Sequence, residues 1–217
     1  MSIRLKILKQ AHHLFVKDGI RNVTMDQLAQ SLGMSKRTIY EQFSDKRELI
    51  KEDAKHFAIE LRGEANRILE EADNVIQGIA RMMQYFTAVV QQVTPSYFAD
   101  MKKFYPKAYE MFSGDSEIRH FYITNKLISK GVEQGVFRPD INIKLVSFFV
   151  NNTLLNNHKE MKQIEGLKFG DFEKDVLFAY LLGIATEEGR ILIEKEQALF
   201  FEQMTMMGGV IPKYHCK

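Results

Sequence analysis

Lys36, Arg37, Thr38, Tyr40 and Gln42 bring two cations, two hydroxyls and an amide into seven residues. Ile39 and Phe43, four residues apart, give the apolar side of the same helical stretch, so the polar set faces outward. Ammonium, guanidinium, hydroxyl and amide donors on one short helix are the groups that meet phosphate oxygens and base edges in the major groove of DNA. The neighbouring residues supply the elements needed to hold them. Thr24 and Gln27 have the spacing of a capping box, and Val23 and Leu28 that of a hydrophobic staple. Leu28, Ala29 and Leu32 form the buried stripe of this first helix, with Ala29 small enough for a second helix to cross closely. Gly33 falls where the chain must leave that helix with positive φ. Ser35 is placed to cap the second helix, and Asp45 and Glu48 repeat the capping pattern for a third. The stretch 23–49 therefore predicts a helix-turn-helix that docks in the major groove.

The charge distribution agrees with this. The chain of 217 residues carries a net charge of only +2, but residues 1–62 hold 12 Lys and Arg against 8 Asp and Glu, leaving the remainder at −2. The basic excess lies with the helix-turn-helix, although a bias of this size is also ordinary for a solvated surface. Apolar runs are short and broken by polar residues, the longest being 145–150 with Ser147 inside it. That pattern predicts neither a membrane span nor a signal peptide, and so a cytoplasmic protein. The single cysteine, Cys216, cannot form an internal disulfide, in keeping with a reducing compartment.

Periodicity predicts an all-α chain, and its length one large or two smaller domains. Ile3, Ile7, Ala11, Leu14 and Phe15 mark a helix ending at Asp18-Gly19. Ile50, Ala54, Phe57, Leu61, Ala65 and Ile68 mark one running from about 46 to 71. Further helices are expected near 74–93, 96–112, 117–134, 141–158, 172–187 and 190–206. Breaks are expected at Pro95, 113–115, 135–139, 166–170 and weakly at Gly189. The expected organisation is a three-helix DNA-binding head over 1–46 and a larger helical domain over 47–217 for ligand binding and dimerisation. A single reading helix meets too few base pairs for useful specificity, so two heads working as a homodimer are expected.

The N-terminal block resembles the DNA-binding domain of the tetracycline-repressor (TetR) family of bacterial transcriptional regulators. The resemblance covers about residues 5–55, through Ala11, Phe15, Gly19, Thr24, Leu28, Ala29, Gly33, Ser35, Thr38, Ile39, Tyr40, Phe43, Lys46 and Leu49. Residues 135–140 are similar to a turn between late helices of these proteins. The chain departs from the family at Arg37, where glycine is common, and at Gln42, where histidine or tyrosine is common, so base preference is not transferable. The resemblance implies phosphate contacts from Thr24, Tyr40 and Lys46, and groove contacts from Lys36, Arg37 and Thr38. Arg37 is the first candidate for base reading, because a guanidinium binds guanine O6 and N7 in a bidentate way. Thr24 and Ser35 are equally explained by helix capping, Tyr40 by surface packing, and Gln42 by contact with the sugar backbone or solvent.

The same resemblance implies that two late helices from each subunit form a four-helix bundle. They are assigned to 141–158, through Val146, Phe149, Val150, Thr153 and Leu154, and to 172–187, through Phe172, Val176, Ala179, Tyr180 and Gly183. The stretch 191–207 is the alternative interface. The family's central pocket is assigned to Met82, Tyr85, Phe86, Phe98, Met101, Phe104, Tyr105, Tyr109, Phe112 and Phe121. These are soft and aromatic side chains suited to a small apolar or aromatic ligand, and equally typical of core packing. Catalysis is not expected. None of the six histidines falls in a metal-binding spacing, no nucleophile elbow, P-loop or dinucleotide fingerprint appears, and no cofactor is called for. The overall expectation is a homodimeric repressor that binds a palindromic operator and is released by its ligand. The alternatives are a constitutive DNA binder whose body only dimerises or binds a protein partner, and an all-helical enzyme or carrier.

Overall fold

The computed structural model describes residues 2–113, 122–150, 165–166 and 171–206. Among these residues every regular element is helical apart from one isolated bridge, Phe137 to Ala185. The elements are α1 (Ile3–Asp18), α2 (Met25–Leu32), α3 (Lys36–Gln42), α4 (Lys46–Glu71), α5 (Val75–Gln92), α6 (Pro95–Phe104), α7 (Pro106–Ser113), α8 (Tyr122–Glu133) and α9 (Ile143–Phe149). A π-helical turn (Glu173–Phe178) then runs into α10 (Ala179–Ile184), followed by α11 (Glu187–Met206). Two compact units result. The described part of the first is 2–63 with 88–113, and that of the second is 64–87, 122–150, 165–166 and 171–206, so α4 and α5 contribute to both.

In the first unit α1, α2 and α3 close on Ile7, Ala11, Phe15, Leu28, Ala29, Ile39 and Phe43, with Ile20 of the turn after α1, all buried, whereas Ile3 at the start of the expected α1 stripe is exposed. Arg4 fastens α1 to the end of α3. Its guanidinium donates to the Gln42 carbonyl, lies 3.1 Å from the Glu48 carboxylate, and stacks 4.1 Å over the Phe43 ring. A polar trio, with two members buried and His12 half-buried, joins α1, α4 and α6. Asp53, 1% exposed, meets His12 Nδ1 at 2.9 Å through one carboxylate oxygen and accepts the Tyr97 hydroxyl at 2.9 Å through the other. The Thr94 N–H also donates to the Val16 carbonyl at 2.8 Å, so the start of α6 is tied to the end of α1.

In the second unit Lys130 donates to the Leu69 carbonyl at 2.7 Å, and Gln134 accepts the Val75 N–H at 2.9 Å, joining α8 to α4 and α5. The 135–140 turn packs Phe137 onto Gly131, while the Arg138 N–H donates to the Ile184 carbonyl and the Thr186 N–H to the Val136 carbonyl.

Three expected boundaries are corrected. The helix expected over 96–112 divides at Tyr105 (φ −133°, ψ 57°), because a residue before proline is sterically excluded from the α region and Pro106 follows. The helix expected over 172–187 ends at Ile184, and Thr186 caps α11 by accepting the Gly189 N–H at 2.9 Å. Gly189 therefore breaks nothing. It lies inside the first turn of α11, where a Cβ would stand 2.0 Å from the Val136 carbonyl oxygen, so it is required by the close approach of two backbones.

Candidate nucleic-acid interface

Thr24 is extended at φ −104° and caps α2. Its hydroxyl accepts the Gln27 N–H at 3.1 Å while the Gln27 side chain accepts the Thr24 N–H at 2.8 Å, a complete capping box. Gly33 ends α2 in the left-handed region at φ 62°. Ser35 caps α3 by accepting the Thr38 N–H at 3.1 Å, and its hydroxyl lies 2.9 Å from that of Thr38. With only 33–35 between them, α2 and α3 cross over the buried Leu28, Ala29 and Ile39. The outer face of α3 is thereby turned to solvent.

That face carries the expected residues. The Arg37 side chain is 89% exposed and its Nε lies 3.0 Å from Glu41. The Lys36 ammonium pairs with Asp26 of α2 at 2.9 Å, and this hydrogen-bonded carboxylate raises its pKa. Tyr40 is exposed, Thr38 half-buried. Gln42 is half-buried, and its carbonyl is taken by Arg4. Lys46, at the first position of α4, donates to the Ile20 carbonyl at 2.6 Å, and partial burial lowers its pKa. This contact aims the ammonium and occupies one of its three donors, leaving two for a phosphate. Sequence reasoning missed Arg4 as the residue that orients the end of α3. A cation in the first turn of α1, with an aromatic at residue 43, was the available signal.

The residues assigned to a pocket are divided. Met82 and Tyr85 are buried in the second unit. In the first unit Met101 is fully buried and Phe98 packs edge-on against Tyr97 at 5.1 Å, whereas Phe104 and Tyr105 line an open groove with the first turns of α4, and Tyr109 is half-buried. The side chains of Phe86 and Phe112, and all of Phe121, lie outside the described residues, as do Thr153 and Leu154. Of the other residues assigned to the bundle, Phe149, Val176, Ala179 and Gly183 are exposed, Val146, Phe172 and Tyr180 are half-buried, and Val150 is buried. The Phe149 and Tyr180 rings meet at 5.0 Å, bringing α9 against α10.

A capped helix, a left-handed glycine turn and a second capped helix with a basic and hydroxylic outer face define a helix-turn-helix DNA-binding protein. Residues 7–52 match the family model for bacterial regulatory proteins of the tetR family, so the head is a DNA-binding domain of that type, and the chain is a DNA-binding transcriptional regulator. Over 161 residues it is 26% identical to the HTH-type transcriptional repressor KstR2 of Mycolicibacterium smegmatis, covering 70% of this chain and 76% of that protein. The repressor of the same name from Mycobacterium tuberculosis is 24% identical over 162 residues, covering 70% and 78%. Among solved structures, the fold is similar to a putative transcriptional regulator from Saccharomonospora viridis in complex with choline. The TM-score is 0.65 at 17% identity, covering 85% of this chain and 98% of that one. It is similar to the same degree to reduced NemR of Escherichia coli (TM-score 0.65, 12% identity, covering 85% and 98%). No helix among the described residues is long and apolar enough to cross a membrane.

Proposed function

We propose that the chain is a cytoplasmic, homodimeric repressor whose two heads read a palindromic operator and whose affinity for it is lowered by a small apolar or aromatic ligand. The observation that carries this reading is the outer face of α3. Arg37 projects into solvent with only an exposed carboxylate beside it, so its guanidinium is available to a base edge at small cost. Lys36, Thr38 and Tyr40 flank it, and Thr24 and Lys46 stand at helix starts where phosphates are favoured. In this reading DNA binding belongs to residues 1–46, and ligand binding with dimerisation to 47–217.

Dimerisation is supported by apolar side chains left uncovered in one chain, with Leu145 66% and Val176 42% exposed beside Phe149, on helices already in contact. Ligand release is supported by α4, a single helix from Lys46 at the head to Glu71 in the second unit, and by a neighbour of similar fold solved with choline. Release requires that the ligand favour the conformation that does not fit DNA, so bound operator must weaken ligand binding by the same factor. The test is selection of bound sequences from a random duplex library. A two-fold symmetric site is expected, with preference at one position per half-site lost in Arg37→Ala. Sequence-independent binding alone would overturn the reading.

A further inference from the structure

An open groove of about 450 Å³ lies beside the start of α4, lined on one side by Ser44, Asp45, Arg47, Glu48 and Lys51 and on the other by residues 104–108. Its two carboxylates are engaged locally. Asp45 accepts the Glu48 N–H at 2.7 Å, and Glu48 accepts the Ser44 N–H at 2.7 Å, the Ser44 hydroxyl at 2.8 Å and the Arg4 guanidinium at 3.1 Å. Its three cations, Arg47, Lys51 and Lys107, are exposed and have no ion-pair partner among the described residues. At its edge the exposed Phe104 ring is flanked by Arg21 at 4.6 Å and Lys103 at 5.3 Å, with the Asp100 carboxylate accepting the Arg21 N–H at 3.2 Å.

The contrast with the reading helix identifies the occupant. Lys36 and Arg37 face acidic partners and Lys46 is held by a carbonyl, whereas the three groove cations have no ion-pair partner among the described residues and outnumber its two locally engaged carboxylates. No charged group in the groove is buried, so nothing preorganises a small anion there. A polyanion needs no such preorganisation, because it binds exposed, flexible cations through release of its condensed counterions. The groove also begins at Ser44, two residues past the end of α3 and next to Lys46. We propose that this groove is a second contact with the DNA backbone, taking phosphates of the duplex that flanks the bases read by α3, with Lys51 and Lys107 as its main neutralising groups. The inference rests on the reading of the head as a duplex reader, and it extends the interface to the α6–α7 corner.

The test uses the full chain and fluorescence anisotropy across a salt series. The probes are a duplex carrying the library-selected site with ten added base pairs on each side and the same site without the flanks. For Lys51→Ala combined with Lys107→Ala, the slope of log affinity against log salt on the long duplex should flatten by about 2 for each head engaged, at roughly 0.9 per lost phosphate contact. On the trimmed duplex, wild type and variant should converge, and the selected sequence should be unchanged. Circular dichroism melts of wild type and variant should coincide. An unchanged slope on the long duplex overturns the groove contact while the selected site keeps the reading of the head intact. A difference that persists on the trimmed duplex overturns the flanking assignment. Calorimetric binding of inorganic pyrophosphate that is lost in the variant while the slope stays unchanged makes the groove a small-anion site, and wild type that binds no duplex overturns both readings.

Discussion

Arg37 and Tyr97 act at opposite ends of the range of exposure. Arg37 is tethered only by Glu41 one turn on, an exposed pair of little net worth, so exchanging it for a base edge costs little. Replacing Arg37 by Ala should weaken the preferred site by about 1–3 kcal/mol and leave mixed-sequence duplex nearly unaffected. Library selection with wild type and variant measures this, and equal losses on both duplexes would refute base reading. Tyr97 is fully buried, and its hydroxyl satisfies one oxygen of the buried Asp53. Burial, with the neighbouring Asp53 adding to it, holds its pKa well above the ordinary tyrosine value, so it donates at every physiological pH. Tyr97→Phe leaves that oxygen without its donor and should lower stability to urea by about 1–3 kcal/mol. An unchanged midpoint would mean that water replaces the hydroxyl. The capping role of Thr24 and Ser35 and the exposure of Arg37 were legible from residue type and spacing. The His12–Asp53–Tyr97 trio was not, because its members are 41 and 44 residues apart in sequence and no local pattern links them.

At the level of elements, helix ends carry the sequence-specific energetics. Gly33 sits at φ 62° with open space around its Cβ position, so substitution there tests backbone strain alone. Gly33→Ala should cost about 1–2 kcal/mol, with Gly33→Asn closer to wild type. Equal melting of Ala and wild type would contradict a strained turn. The π-helical turn Glu173–Phe178 presents a different case. Glu173 is buried, and that burial foremost, with Asp171 adding to it against its own backbone N–H, raises its carboxyl pKa above 4.5. A native pKa above the unfolded one gives a contribution that is full below the unfolded value and lost as pH climbs through the folded value. Glu173→Gln, which keeps the neutral form, should therefore melt like wild type at about pH 4 and higher than wild type at about pH 8. A constant difference across that range would place the effect elsewhere. The course of α1 and α4 could be read from apolar periodicity, since Ile7, Ala11 and Phe15 of the one and Ile50, Ala54, Phe57, Ala65 and Ile68 of the other are buried at helical spacing. The division between α6 and α7 turns on one residue pair, Tyr105-Pro106, whose local restriction is masked by helical spacing on both sides.

For the whole molecule, the proposed pairing of two heads follows from the few base pairs that one reading helix spans. If α9 and the π-turn with α10 supply the pairing surface, a charge at the exposed Val176 should separate the subunits with little effect on the isolated chain. Val176→Asp is expected to sediment as a monomer with wild-type helicity and to lose selective DNA binding. A variant that remains dimeric would direct attention to α11, where Ile191 is 72% exposed and Leu199 40%.

The order of amino acids sufficed for the all-α class, the caps of α2 and α3 and the exposure of Lys36, Arg37 and Tyr40. Those features depend on interactions within a few turns of chain: side-chain caps, a left-handed glycine and stripes at helical spacing. Tertiary structure alone decided that Arg4 clamps α3, that Lys46 is aimed by the Ile20 carbonyl, that Gly189 admits the Val136 backbone, and that the α6–α7 corner shares a compact unit with the head. Each of these depends on groups brought together across tens of residues, where packing and the requirement to satisfy buried polar atoms select the partner and local preference is silent.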